Sequence, residues 1–492
     1  MTPDDATWIL TASFVIFTMQ TGFGLLESGA VTKKNEVNIM MKNAADVILG
    51  GITYWMFGYG FQYGSSPGTN PFIGVGSFFL DSNQDEMGIV FATFIFQLSF
   101  ATTATTIASG AMAERTDFNA YCIFSLVNTL TYCIPAGWLW GGHGFLKNLG
   151  AIDFAGSSGV HLLGGCAAFV ATVVLKPRLR RYDNGTAPLP MGNPINALVG
   201  TFTLWWGWLV FNCGSTFGIT NDKWHYAGRA AITTINASLG AGLCGILFTY
   251  FKNRKFEIGD IINSILGGLV SITAGCAFFR PGESIFIGAV GGLFVISIQP
   301  MFDKIKVDDP VGAIAVHGGG GLWGMVAVGL FIESDPLLYL SRGRKGLFKG
   351  GGLYLLGVQL LSCLSIGVWS VTTTFLMLKG INIFRCIRMS PVEEVLGADY
   401  IEHNIRHDCF HYEDMMEDLE RKGHHIPKRT DRVPPREEWD RYLVEKYIHG
   451  AANTTTQEPK TKPPELDKLL DILSTAKFRQ EPNHPRENCT IL

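Results

Sequence analysis

The chain has 492 residues, of which 47% are hydrophobic and only 16% charged, with 58 glycines and a formal net charge of −3. Those proportions exclude an ordinary soluble domain and a disordered chain, and nothing basic enough for a nucleic-acid partner stands out. Charged residues are sparse from residue 7 to about residue 378 and dense beyond residue 385, so the net figure averages two unlike regions.

A hydrocarbon core about 30 Å thick takes about 20 apolar residues per helix. By that ruler spans fall at about 7–27, 44–63, 87–112, 118–139, 158–176, 195–214, 228–251, 259–279, 284–302, 312–332 and 351–378. Asp4 and Asp5 precede the first run where a leader would be basic, and no small-residue cleavage site follows, so that run reads as a span. The expected fold is an all-α polytopic membrane protein with eleven transmembrane helices. Residues 1–384 form the membrane domain and residues 385–492 a cytoplasmic, partly disordered tail. The ten cysteines are scattered without metal-site spacing and read as buried free thiols.

Lysine and arginine in short loops set the orientation. Lys33-Lys34, Arg115, "KPRLRR" (Lys176–Arg181), "KNRK" (Lys252–Lys255) and Lys304 with Lys306 fall on one side. That side is cytoplasmic, which puts the N-terminus outside and the C-terminus inside. "SRGRKGLFKG" (Ser341–Gly350) is basic yet falls outside, outvoted five loops to one. The Asn184 sequon then faces the cytoplasm.

A titratable imidazole, His317, sits within the apolar run "DDPVGAIAVHGGGGLWGMVAVGLF" (Asp308–Phe331). "DFAGSSGVHLLGG" (Asp153–Gly165) repeats the frame: Asp153 falls on Asp309, Gly156 on Gly312, Val160 on Val316, His161 on His317, and Gly164-Gly165 on Gly320-Gly321. The frames lie in the fifth and tenth spans. Five spans per repeat is odd, so the halves, about 7–176 and 195–332, cross in opposite directions, with the eleventh helix as an addition. Inverted repeats place functional groups near the midplane between the halves. One intramembrane histidine is commonly a helix-to-helix hydrogen bonder; two in matching frames followed by glycines point to function. Neutral imidazole is tolerated at that depth, whereas imidazolium costs several kcal/mol without a counter-charge. A facing pair can share one proton and pass protons on without a lasting charge. "HGGGG" lacks the Lys-Ser/Thr ending of a phosphate loop, and packing accounts for its glycines.

Aromatics gather at one end of three spans. Phe96 and Phe100 share a helix face, "WLWGG" places Trp138 and Trp140, and "WLVFNCGS" places Phe211 and Ser215. Singly, each fits an interface belt. Together, rings with one hydroxyl favour a small cation, by about 2 kcal/mol or more per ring face once desolvated.

"GFGLLESGAVTKKN" (Gly22–Asn35), "FQLSFA…GAMAER" (Phe96–Arg115), "DFAGSSGVH", "GWLVFNCGS" and "DDPVGAIAVHGGGG", in that order over about residues 7–399, closely resemble the ammonium transporter family (Amt/Mep/Rh), on its Amt side. The resemblance implies a homotrimer of eleven-helix protomers in the lipid bilayer, each with its own narrow hydrophobic pore for ammonium or ammonia, with methylammonium as analogue. It implies an outer substrate site of Phe100, Trp140 and Ser215, a gate of Phe100 and Phe211, and a twin-histidine pair, His161 and His317. Asp153 would support the outer site electrostatically, with Asp309 its counterpart. No cofactor or metal is implied, no enzymatic activity, and the expected location is the plasma membrane. The chain departs from the family at Thr32-Lys33 before Lys34-Asn35, and at Ser157 and Gly159. Both departures bear on loop contacts.

"MSPVEEVLGADYIEH" (Met389–His403) resembles the start of the family's regulatory tail, with His403-Asn404 for its usual His-Gly. "DCFHYEDMMEDLERKGHH" (Asp408–His425) reads as a short charged helix. His403, His407, His411, His424 and His425 near Cys409 match no standard metal spacing. Residues 450–464 read as disordered, with Thr454–Thr456 as phosphosites, and Glu465–Phe478 as a weak helix. The alternatives are an Rh-like electroneutral NH3/CO2 gas channel and an ammonium-sensing receptor. Trp140 and Ser215 argue against the first, and the lack of a signalling domain in the tail against the second.

Overall fold

The computed structural model describes residues 1–410, apart from 180 and 184–188, together with residue 421. The helices are α1 (Pro3–Ala30), α2 (Glu36–Thr53), α3 (Tyr59–Tyr63), α4 (Met87–Met112), α5 (Phe118–Trp140), α6 (Phe145–Leu149), α7 (Leu163–Leu175), α8 (Pro194–Gly214), α9 (Lys223–Asn253), α10 (Ile258–Thr273), α11 (Pro281–Lys304), α12 (Gly320–Phe331), α13 (Tyr354–Phe384), α14 (Pro391–Leu396) and α15 (Ala398–His403). π-helical turns join α2 to α3 (Tyr54–Gly58) and precede α7 (Ser157–Leu162) and α12 (Ile314–Gly319). No β-strand occurs among the described residues. Helix is the form that satisfies every backbone group within its own segment, as lipid requires.

Nine helical stretches among the described residues are long and apolar enough to cross a bilayer. α10 is apolar but has only 16 residues. The second rod begins at Glu36, not near residue 44, because its first turns carry Lys42, Asn43 and Asp46 into the interior instead of to lipid. An apolar-run ruler misses such a start. The run expected over 259–279 stops as a helix at Thr273; the Ala274 carbonyl turns to accept the N–H of Phe154. Outward faces carry side chains such as Phe202, Leu243 and Leu364, each more than half exposed, as a lipid-facing wall requires. Inside, serine and threonine hydroxyls close back on carbonyls, as Ser13 does on Ile9 and Thr201 on Ala197.

The start signals are local. Thr2 and Asp5 form a capping box with Pro3 at the first turn of α1; Asp117 caps α5, Asn193 precedes Pro194 at α8, and Ser390 with Glu393 boxes α14.

The two repeats meet at their centres. Contacts there come in frame-equivalent pairs. A Cβ on Gly165 of α7 would stand 2.2 Å from the Gly318 nitrogen, and one on its counterpart Gly321 would stand 2.9 Å from the nitrogen of Leu162, the counterpart of Gly318. Only glycine permits that approach.

At the end of the bundle that carries the basic loops, several of those residues are buried ties. Arg178 pairs with Asp308 at 2.8 Å and with Glu114; Arg115 is wholly buried and donates to the carbonyls of Ala113, Lys176 and Asp308. These bonds join the segments after α4, α7 and α11. Burial alone would raise the Asp308 carboxyl, but the adjoining Arg178 guanidinium holds it well below the usual carboxylate range. The start of the tail docks on the same end. Lys34 donates to the carbonyls of Glu394 and Val395, and Asp399 accepts the N–H groups of Val37 and Asn38 at the start of α2. His407 lies 2.8 Å from Asp399 and His403 3.1 Å from Asn38. Asn35, in the departing "KKN" triplet, accepts the N–H of Ala398. His411, His424, His425, most of the charged 408–425 segment, Asn184, Thr454–Thr456 and the helix expected at Glu465–Phe478 lie outside the described residues.

Candidate functional site

Each histidine stands just inside a helix whose first turn is organised by an aspartate. Asp153 Oδ1 accepts the N–H groups of Gly156 and Ser157 at 2.9 and 2.7 Å, and Oδ2 those of Ser158 and Gly159 at 2.7 and 2.8 Å, with the Ser158 hydroxyl at 2.7 Å. Asp309 repeats this on Gly312 at 3.0 Å and Ile314 at 2.7 Å. A carboxylate among helix N-terminal N–H groups is favourable on both hydrogen-bonding and dipole grounds. Gly156 and Gly312 take φ of 105° and 75°, where a side chain would be strained. The repeated Asp-x-x-Gly in the sequence is therefore a device for starting these two helices. Burial pushes the Asp153 carboxyl above its ordinary value, against the pull of its hydrogen bonds. Ser157, one of the departures, donates to the Val270 carbonyl and accepts the Ala274 N–H, tying this start to α10.

So placed, His161 and His317 face each other, Nδ1 to Nδ1 at 3.2 Å, with ring centroids 5.2 Å apart and planes 16° from parallel. Both are buried. Two imidazoles make this bond only when one Nδ1 carries hydrogen and the other a lone pair. The pair must then present one protonated and one bare Nε2. His161 Nε2 has no hydrogen-bond partner among the described residues.

On one side of the pair, Phe100 of α4 and Phe211 of α8 are stacked with centroids 4.1 Å apart at 10°, and Phe211 lies 5.8 Å from His161. Parallel rings at that distance leave no space for a molecule between them. Beyond the stack opens a cavity of about 660 Å3, lined by Phe96, Phe100, Trp140, Asp153, Ser215 and Phe217 among others. Trp140 meets Phe100 edge-on at 6.0 Å and is held by its indole N–H on the Asp153 carbonyl at 2.8 Å. Ser215 donates to the Phe211 carbonyl at 2.8 Å, which leaves its oxygen lone pairs for the cavity. On the other side of the histidines is a second, much smaller space, bordered by Phe23, Glu27, Ile107, Val316 and His317.

Apart from Asp309, which sits at the other helix start, and Trp138, the residues singled out in the sequence fall on the line from cavity to histidines. Trp138 packs against Trp369 and Phe145, with its N–H on the Phe72 carbonyl. Asp153 bears on the cavity through its main chain and on His161 through its carboxylate. Sequence reasoning missed Trp208, which stacks on His161 at 4.9 Å and 16°, and Phe217, edge-on to Phe96 at 4.9 Å. Trp208 was findable, since it stands one turn before Phe211 on the same helix face. Phe217 follows the end of α8, and no periodicity marks it.

A profile of the Ammonium Transporter Family matches residues 7–407. The chain is 45% identical to "Putative ammonium transporter 3" of Caenorhabditis elegans over 82% of its own length; the match spans only 60% of that relative. Among solved structures, one titled "Sensor Amt Protein" superposes with a TM-score of 0.74 at 31% identity, covering 81% of this chain and 98% of that one. Candida albicans Mep2 superposes with a TM-score of 0.71 at 28% identity, covering 79% and 87%. With motif order, fold and site geometry in agreement, the chain belongs to the ammonium transporter family.

Proposed function

We propose that the protein transports ammonium across a membrane, recruiting NH4+ in the wide cavity and passing NH3 beside the histidine pair. The observation that carries this reading is the 3.2 Å contact between His161 and His317 behind a closed ring stack. Moving an ammonium-sized ion from water into a medium of low dielectric costs of the order of 20 kcal/mol. Neutral ammonia avoids that cost. The rings of Phe100 and Trp140 and the Ser215 oxygen form the recruiting site, where a desolvated cation gains about 2 kcal/mol per ring face. Phe100 and Phe211 act as the gate. The proton given up there moves along the imidazoles, each ring accepting on one nitrogen as it releases from the other, so uptake carries charge. Asp153 and Asp309 are positioning residues that hold the two histidine helices in register. A cation site of aromatics favours this reading over an electroneutral gas channel, which has no use for one.

In this reading the basic loops face the cytoplasm, the chain crosses eleven times with its N-terminus outside, residues 1–384 form the transport domain and residues 385–492 a regulatory tail. The working form is a homotrimer in the plasma membrane. Voltage-clamp recording from expressing cells tests the core claim. Ammonium and methylammonium should evoke a saturable inward current that vanishes in His161→Asp and in His317→Asp. A full current in both variants removes the histidines from the mechanism.

A further inference from the structure

The small space beyond His317 holds a group that the mechanism above does not use. Glu27 of α1 is 2% exposed and borders that space together with Phe23, Ile107, Val311, Val316 and His317. Its volume is about 10 Å3, the room that one water-sized molecule needs. Glu27 Oε2 is taken, accepting from Asn43 Nδ2 and from the Ser109 hydroxyl, both at 2.7 Å. Oε1 accepts no hydrogen bond among the described residues. Gly110 keeps its surroundings open: a Cβ there would stand 3.0 Å from Glu27 Oε1 and 2.5 Å from Val311 Cγ2.

The charged groups acting on Glu27 are Lys42 and Asp46 of α2. Lys42 is directed away, donating to the Thr116 carbonyl and lying over the Tyr121 ring. Asp46 accepts from Tyr121 and Thr106. Neither side chain occupies Glu27 Oε1. A buried carboxylate with one anchored oxygen and one open oxygen, beside a void that also touches an imidazole, suits the exchange of a proton with a small amine.

We propose that Glu27 is a second proton-exchange and cation-binding site for ammonium, on the far side of the histidine pair from the wide cavity. The proposal rests on the transport reading and deepens it. A protonated Glu27 gives its hydrogen to an arriving NH3, which leaves as NH4+ after a brief ion pair with the carboxylate. The carboxylate regains a proton from the imidazole pair, which took it from the incoming NH4+. One ammonium enters, one leaves, and each group returns to its starting state. A methyl ammonium ion fits the same chemistry but not the same room, so it should cross more slowly at this step.

The test uses the full chain reconstituted in liposomes, with currents recorded on ammonium pulses at several pH values on the Glu27 side. Glu27→Gln keeps the shape and the hydrogen bond from Ser109 but cannot exchange a proton; its current should fall by about 100-fold. Whatever current remains should lose its dependence on pH at that side, whereas half-saturation by ammonium at the wide cavity stays within about twofold of the wild type. A variant that had merely loosened the packing would not flatten the pH profile. Wild-type current and pH slope in Glu27→Gln overturn the proposal and leave the transport reading standing. Absence of current from the wild-type protein overturns both. Gly110→Ala provides the second arm, setting a methyl group against Glu27 Oε1 and Val311 without changing any titratable group: strong loss of current with the pH slope retained supports the site, and full current overturns it even if Glu27→Gln does not fold.

Discussion

Replacing Asp153 by asparagine keeps the size of the side chain and one accepting oxygen, but turns the other into a donor. The N–H groups of Ser158 and Gly159, which Oδ2 now accepts, would face an amide N–H. A buried donor left without its acceptor costs about 1–3 kcal/mol, so Asp153→Asn should lower the melting temperature of the detergent-solubilised protein and weaken the ammonium current as His161 shifts. An unchanged melting temperature would show that the carboxylate does not hold the helix start. At this scale the sequence was informative where it repeated itself. Matching frames drew out Asp153, His161, Asp309 and His317 together, because a residue placed twice in one pattern is visible without any alignment. Trp208 and Glu27 occur once each, inside runs whose apolar or motif character explains them locally. Their roles depend on neighbours from other helices.

Between elements, the buried arginines behave as connectors. Arg178 binds Asp308 and Glu114 at once, with both carboxylates almost fully buried. Removing one partner of such a pair strands the others, at a cost of about 3–5 kcal/mol. Arg178→Ala should destabilise the protein by that amount, read from thermal or denaturant unfolding. Because Asp308 is held below the ordinary carboxylate range, its contribution is present above the unfolded value near 3.8 and is lost as the pH falls through the lower folded value. The wild type should therefore lose stability on acidification below that range, and the arginine variant should lose less. Lys34, Arg115 and Arg178 were read from the sequence as votes for a cytoplasmic face. The structure gives each a second duty in joining loops or docking the tail, which spacing alone does not reveal. Helix ends were also harder to read than helix cores. α2 starts with polar residues that turn inward, and α10 ends early where its last residues are needed for the loop to Phe154.

For the whole molecule, the meeting point of the two histidine frames was legible, because the pattern around His161 recurs around His317, and the two rings stand in contact. Beyond residue 421 the sequence offers composition, three adjacent threonines and one weak helical stretch, and no repeat. The orientation has a direct check. A membrane-impermeant thiol reagent applied to intact cells should label a cysteine introduced at Asp85, exposed in the loop between α3 and α4, and should spare Cys386, which is exposed just after α13. Labelling of Cys386 from outside would invert the assignment of faces.

The ring stack and the tight space behind it also bear on which ions are refused. Potassium resembles ammonium in size and charge, and an aromatic mouth attracts both. Ammonium alone can become neutral by shedding a proton. An alkali ion arriving at Phe211 has nothing to give up except its hydration shell, and a void of about 10 Å3 offers too few oxygens to replace it. In the proposed mechanism, discrimination lies less in how tightly a cation is held at the mouth than in whether it has a chemical means of ceasing to be one.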